Sequence, residues 1–139
     1  MPQKLQLQQE NADLGYKVYF GIATTSADYK LNYFLQKITN QQPIDCLGIT
    51  SSNKLFKKWL FTLIQSQIVL LENKKDGVAL ISKLKQADYV LCCKGNEALA
   101  TYNLLKTELL NANFIQSIFA VNDSVLTQKN KQYFDTTHL

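Results

Sequence analysis

The chain contains no arginine, and its only histidine, His138, is next to the last residue. All fifteen basic residues are therefore lysines. Arginine's planar fork is the usual means of bidentate recognition of carboxylate, phosphate and guanine, so its absence disfavours base-specific nucleic-acid readout. A histidine at a chain end is poorly positioned as a general base. Catalysis would have to rest on Lys, Tyr, Cys or carboxylates alone. No apolar run approaches the roughly 18 residues that a membrane helix needs. The polar, Gln-rich stretch Met1 to Gly15 lacks the apolar region of a secretory signal. Cysteine is scarce too: Cys46, Cys92 and Cys93 are the only three. Neighbouring residues on a strand face opposite ways, which argues against Cys92 and Cys93 bonding each other or sharing a metal. With no Cys-x-x-Cys and no spaced histidines, neither a metal nor a cofactor is expected. Unpaired thiols in apolar surroundings suit a reducing cytoplasm, the expected location, with no membrane contact.

What is present is a chain of 139 residues with seven tyrosines and seven phenylalanines, enough for one domain with its own core. Residues 1–13 read as a disordered polar tail, and 14–139 as a single α+β domain. Tyr16, Val18, Phe20 and Ile22 alternate as a strand. Ser26 is placed to cap a helix whose apolar stripe is Leu31, Phe34, Leu35 and Ile38, and Asn40 to Pro43 end it. Residues 55–64 fit either a helix or a strand apolar on both sides; their aromatics and the turn at Gln65 to Gln67 favour the strand. Ile68 to Asn73 forms the next strand, and Asp76-Gly77 turns into a third over 78–81. Ser82 to Gln86 makes one helical turn, and Tyr89 to Cys93 a central strand. Asn96 caps a helix with the stripe Ala98, Tyr102, Leu105 and Leu109. Phe114 to Val121 is the last strand. The expected architecture is a mixed sheet with a central antiparallel meander, flanked by two strand–helix–strand units.

The most specific stretch is Leu80 to Gly95, Leu-Ile-Ser-Lys-Leu-Lys-Gln-Ala-Asp-Tyr-Val-Leu-Cys-Cys-Lys-Gly. It resembles the signature of the IPExxxVDY family, small cytosolic proteins of Bacteroidota-type bacteria. Ile81, Asp88 and Tyr89 match that pattern; Ser82, Lys83 and Ala87 depart from it. The resemblance implies no assigned activity. Its Pro-Glu opening suits the start of a helical turn, whereas Lys83 opposes the helix dipole.

Residues 54–85 hold seven lysines against Glu72 and Asp76, a local balance of +5, while the rest of the chain balances at −1. Lys54, Lys57, Lys58, Lys74 and Lys75, with Trp59 beside them, are therefore candidate binding residues. The same lysines also serve to guard exposed strand edges against aggregation. Asp88 and Tyr89 are the other candidates, read either as an acid–base or hydrogen-bonding pair or as a junction in which Asp88 accepts local backbone bonds. Cys93, near Lys94 and a helix start, is a weak nucleophile candidate against its reading as a small buried apolar residue. Lys94-Gly95-Asn96-Glu97 lacks the spacing of a phosphate loop. No catalytic residue is assigned. The leading expectation is a non-catalytic protein-interaction or regulatory module with a protein partner or a second copy of itself. The alternatives are weak RNA or ribosome contact through the lysines, and a small-ligand site or enzyme centred on Asp88, Tyr89 and Lys94.

Overall fold

The structure, a computed structural model, describes residues 17–136. The tail expected over 1–13 lies outside the described residues, as does His138. Strand β1 (Lys17–Ala23) leads into helix α1 (Asp28–Thr39), then β2 (Ile44–Ser51), β3 (Lys54–Thr62) and β4 (Gln67–Glu72). A two-residue hairpin, β5 (Lys74–Lys75) and β6 (Val78–Ala79), precedes a 3-10 turn at Ser82–Leu84. Then come β7 (Tyr89–Lys94), α2 (Ala98–Leu110), β8 (Ser117–Val121), a second 3-10 turn at Asp123–Val125 and the short helix α3 (Gln128–Gln132).

The protein is α+β. Its main sheet has the order β2-β3-β4-β7-β1-β8, with β5 and β6 forming a separate ribbon. All five pairings in the main sheet are antiparallel, so the parallel component of the expected mixed sheet is not present. The reason is where the helix-linked strands land. The unit β7–α2–β8 straddles β1, and β1–α1–β2 runs to the far edge, so same-direction strands never become neighbours.

The meander exists, but its third strand is β2 and not 78–81. Residues 44–51 hide from a period-two reading because Leu47 and Gly48 together oppose Lys57, a β-bulge between the pairs Cys46–Lys58 and Ile49–Phe56. A side chain at Gly48 would place its Cβ 2.6 Å from the Phe56 carbonyl oxygen, so glycine is required there. The Asp76-Gly77 turn forms as expected, with both residues at positive φ, yet it closes only the small ribbon. Residues 54–62 are strand because both faces of β3 are buried: Phe56 and Leu60 on one side, Trp59 and Phe61 on the other.

That two-sidedness runs through the sheet. On one face Phe20, Ile22, Ile68, Leu70, Leu91 and Cys93 pack under Leu31 and Leu35 of α1 and Leu105 and Leu109 of α2. Neither helix carries the expected cap. Ala27 precedes α1 and Glu97 precedes α2, neither with a side-chain bond; the Ser26 amide instead donates to Thr24 Oγ1. The opposite face, with Tyr19, Val69, Leu71, Val90 and Cys92, is covered by irregular chain: the 73–88 excursion and the C-terminal segment from Asn122 onward. Phe134 is driven into it, its ring meeting Tyr19 edge-on at 5.2 Å.

Irregular chain over an apolar face needs partners for its backbone groups. Asn73, fully buried, supplies them. Its Nδ2 donates to the Leu84 and Ala87 carbonyls, both at 2.9 Å, and its Oδ1 accepts from the Ile81 amide at 2.8 Å. Its backbone adds bonds to Asp88 and Leu80. Asn73→Ala removes three buried bonds at once and should lower stability by about 3 kcal/mol. Urea unfolding measures this; a loss within experimental error of zero would show that the excursion holds itself in place.

Candidate functional site

The five candidate lysines do not form one face. Residues 57 and 58 point to opposite sides of β3, since side chains alternate along a strand. Lys58 is buried on the face covered by the C-terminal segment, and its Nζ donates to the carbonyls of Tyr133 (2.9 Å) and Asp135 (2.7 Å). Burial pulls its pKa below the ordinary lysine value, with the nearby Cys46 and Asp135 acting against that shift. The other four lysines are matched with four carboxylates: Lys57 with Asp28 (3.4 Å), Lys54 with Asp76 (3.2 Å), Lys75 with Glu72 (3.3 Å) and Lys74 with Asp88 (3.8 Å). Asp28 and Asp88, which lie outside that segment, thus offset two of the five excess positive charges counted along 54–85.

Asp88, Tyr89 and Lys94 do not converge either. Asp88 abuts one end of β7 and Lys94 closes the other, about 20 Å apart along extended chain of this length. Asp88 was expected to accept local backbone bonds. Its Oδ2 instead accepts from the amide of Thr24, 64 residues away, at 2.9 Å, tying the β7 entry to the end of β1. The Thr24 hydroxyl carries the tie onward by donating to the Phe114 carbonyl. Tyr89 and Leu91 are buried among the helix-side core residues. Burial, first, and the carboxylates of Asp28, Glu72 and Asp88 raise the Tyr89 pKa well above its ordinary value. Lys94 donates to the Phe134 carbonyl at 3.2 Å, and burial lowers its pKa.

Cys92 and Cys93 are both fully buried. Burial pushes the Cys92 thiol up to about 11, partly offset by Lys94 and Lys17, and Cys93 higher still. Neither is an activated nucleophile. Among the described residues no group of three or more His, Cys, Asp or Glu is arranged to hold a metal ion. No described helix is long and apolar enough to cross a membrane.

A concave feature lies elsewhere, between α1 and the β2–β3 edge of the sheet. It is an open groove of about 510 Å³. Trp59, only 8 % exposed, and Leu55 lie along β3; Tyr29, Asn32 and Tyr33 come from α1, and Asp45 from β2. Tyr29 and Tyr33 are 75 % and 61 % exposed. They lie four residues apart and off the buried Leu31–Leu35 stripe, so they present one aromatic face outward. Beside them runs β2, which among the described residues is an edge strand paired only with β3, and which exposes Ile44 and Leu47. Of the candidate binding residues, Trp59, Lys57 and Lys58 line this groove, Lys58 with its ammonium turned away to the Tyr133 and Asp135 carbonyls. The tyrosine pair, Asn32 and Asp45 were missed, although the i, i+4 spacing of two tyrosines on a polar helix face was a readable signal. Comparison with protein-family models and with curated proteins gives no match for this chain.

Two outcomes test the assignments of Asp88 and the cysteines. Asp88→Ala should lose about 0.5–2 kcal/mol of stability, and Asp88→Asn, which keeps an acceptor for the Thr24 amide, should recover most of it. Equal stability of all three proteins would show that the tie is inert. In alkylation at pH 8, half-exposed Cys46 should react while Cys92 and Cys93 stay unmodified until the protein unfolds. Native-state labelling of either strand cysteine at the Cys46 rate would contradict their burial.

Proposed function

We propose that the protein is a non-catalytic protein-interaction module, whose contact surface is the groove between α1 and β3 together with the open edge of β2. The observation that carries this is the aromatic pair Tyr29 and Tyr33, exposed beside a groove floored by Trp59 and flanked by an unpaired strand edge. Tyrosine and tryptophan are the side chains most enriched in protein interfaces, where a large rigid ring adds contact area at little entropic cost. A sheet edge supplies main-chain donors and acceptors to an extended partner segment. Burial is the largest cause of the raised or lowered pKa values of Cys46, Lys58, Tyr89, Cys92 and Lys94, and only the first two of these line the groove, which supports binding over catalysis.

The RNA alternative rested on an uncompensated lysine face, and the pairing of Lys54, Lys57, Lys74 and Lys75 with carboxylates gives it no specific support. The resemblance to the IPExxxVDY family is compatible with this reading. Its positions Ile81 and Tyr89 serve the core here and Asp88 ties two strands, so a shared signature would be architectural.

The test is affinity capture from native lysate at low and high salt, with wild type, the double variant Tyr29→Ala/Tyr33→Ala and the double variant Lys83→Gln/Lys85→Gln. A partner anchored by the groove should survive high salt, be unaffected by the lysine changes and be weakened at least about ten-fold by loss of the two tyrosines. Capture that ignores the tyrosines, or RNA retention that collapses with salt and with the lysine changes, would refute the proposal.

A further inference from the structure

Building on the groove as a contact surface, we infer that it receives a cationic side chain, lysine or arginine, projecting from an extended segment of the partner. Three features of the groove lining point to a donor-bearing, positively charged guest. The first is Asp45. It faces the groove from the edge strand, on the same side as its cross-strand neighbour Trp59, and makes no ion pair among the described residues. The second is Asn32. Its Nδ2 donates to the Asp28 carbonyl at 3.1 Å, which leaves its Oδ1 buried and without a hydrogen-bond partner. A buried acceptor lacking a donor is uncommon in folded proteins and calls for a specific explanation. A guest N–H supplies one when the carboxamide turns its oxygen out into the groove.

The third feature is the aromatic lining. The faces of tyrosine and tryptophan rings attract cations, and this surface already shows the effect: Lys37 Nζ lies 5.5 Å from the Tyr33 ring centre. Of the two lysines lining the groove, Lys57 is held by Asp28 and Lys58 donates to the carbonyls of Tyr133 and Asp135, so the carboxylate left to a guest is that of Asp45. An acceptor without a donor, a carboxylate without a counter-ion and aromatic faces together fit a cation. Arginine fits best, because its five donors serve the Asp45 carboxylate and the Asn32 oxygen at once. Entry along β2 places the guest backbone where the strand edge has hydrogen-bonding groups to offer, with alternate side chains turned into the groove.

The experiment is an NMR titration of the full chain with Nα-acetyl-arginine amide, using the Trp59 indole N–H and the Asn32 carboxamide as reporters. The neutral isostere Nα-acetyl-citrulline amide is the control. The arginine probe should shift both reporters saturably, and citrulline should bind at least about five-fold more weakly. Asp45→Asn should cost a similar factor, whereas Asp76→Asn, which alters a carboxylate outside the groove, should cost nothing. An unsaturable response, equal response to citrulline, or unchanged binding by a well-folded Asp45→Asn variant would overturn the inference. Tyrosine-dependent partner capture without any response to the arginine probe would remove the cationic guest while leaving the contact surface in place. Loss of both would remove both.

Discussion

A sheet whose central strands are apolar on both faces has to be covered twice. Strands β4, β7 and β1 send Ile68, Leu70, Leu91, Cys93, Phe20 and Ile22 to one side and Val69, Leu71, Val90, Cys92 and Tyr19 to the other. Two amphipathic helices cover the first side, and a helix satisfies its own interior backbone. The second cover is irregular chain, which does not, and polar side chains have to complete its hydrogen bonding. That need explains otherwise odd choices in the sequence. Asn73 sits fully buried at the end of a strand because it serves three backbone groups of the 73–88 excursion. Lys58 and Lys94 rise from the sheet to carbonyls at the end of the C-terminal segment, accepting the desolvation that lowers their pKa values.

The same constraint separates structural from available surface. All nine large apolar side chains exposed among the described residues lie on the two helices, on β2 and its neighbour Leu55, or at the β3–β4 turn. None lies on the segments that cover the second face. A protein that closes one face with side-chain-stapled loops leaves Tyr29, Tyr33, Ile44 and Leu47 outward on the helix-and-edge side. The bulge at Leu47-Gly48 fits this arrangement, since a bulge increases the local twist and discourages indiscriminate edge pairing while leaving the edge open to a specific partner.

Much of this architecture is legible in the sequence, and the parts that are not share a cause. Strand β1, helix α1 and the Asp76-Gly77 turn follow from periodicity and turn chemistry, which act over a few residues. Strand β2 escapes because one extra residue breaks its alternation. Lys57 and Lys58 look alike in the chain, but strand parity sends one towards the groove and the other into the core. The local charge excess is reduced because Asp28 and Asp88 reach it through space from outside the lysine-rich segment. The Asp88–Thr24 tie spans 64 residues, a separation at which local rules carry no information. The groove was half readable: Trp59 stands out by type, while the tyrosine pair that gives the site its character shows only as an i, i+4 spacing on the polar face of α1.

The central claim is that recognition belongs to the helix-and-edge side and that the opposite side is structural. Amide hydrogen exchange of the protein alone and in complex with its native partner tests it most directly, because exchange reports protection segment by segment. The account predicts that amides of β2 and α1 slow on complex formation while those of 122–136 exchange as before. Protection gained across 122–136 with β2 unchanged would contradict it.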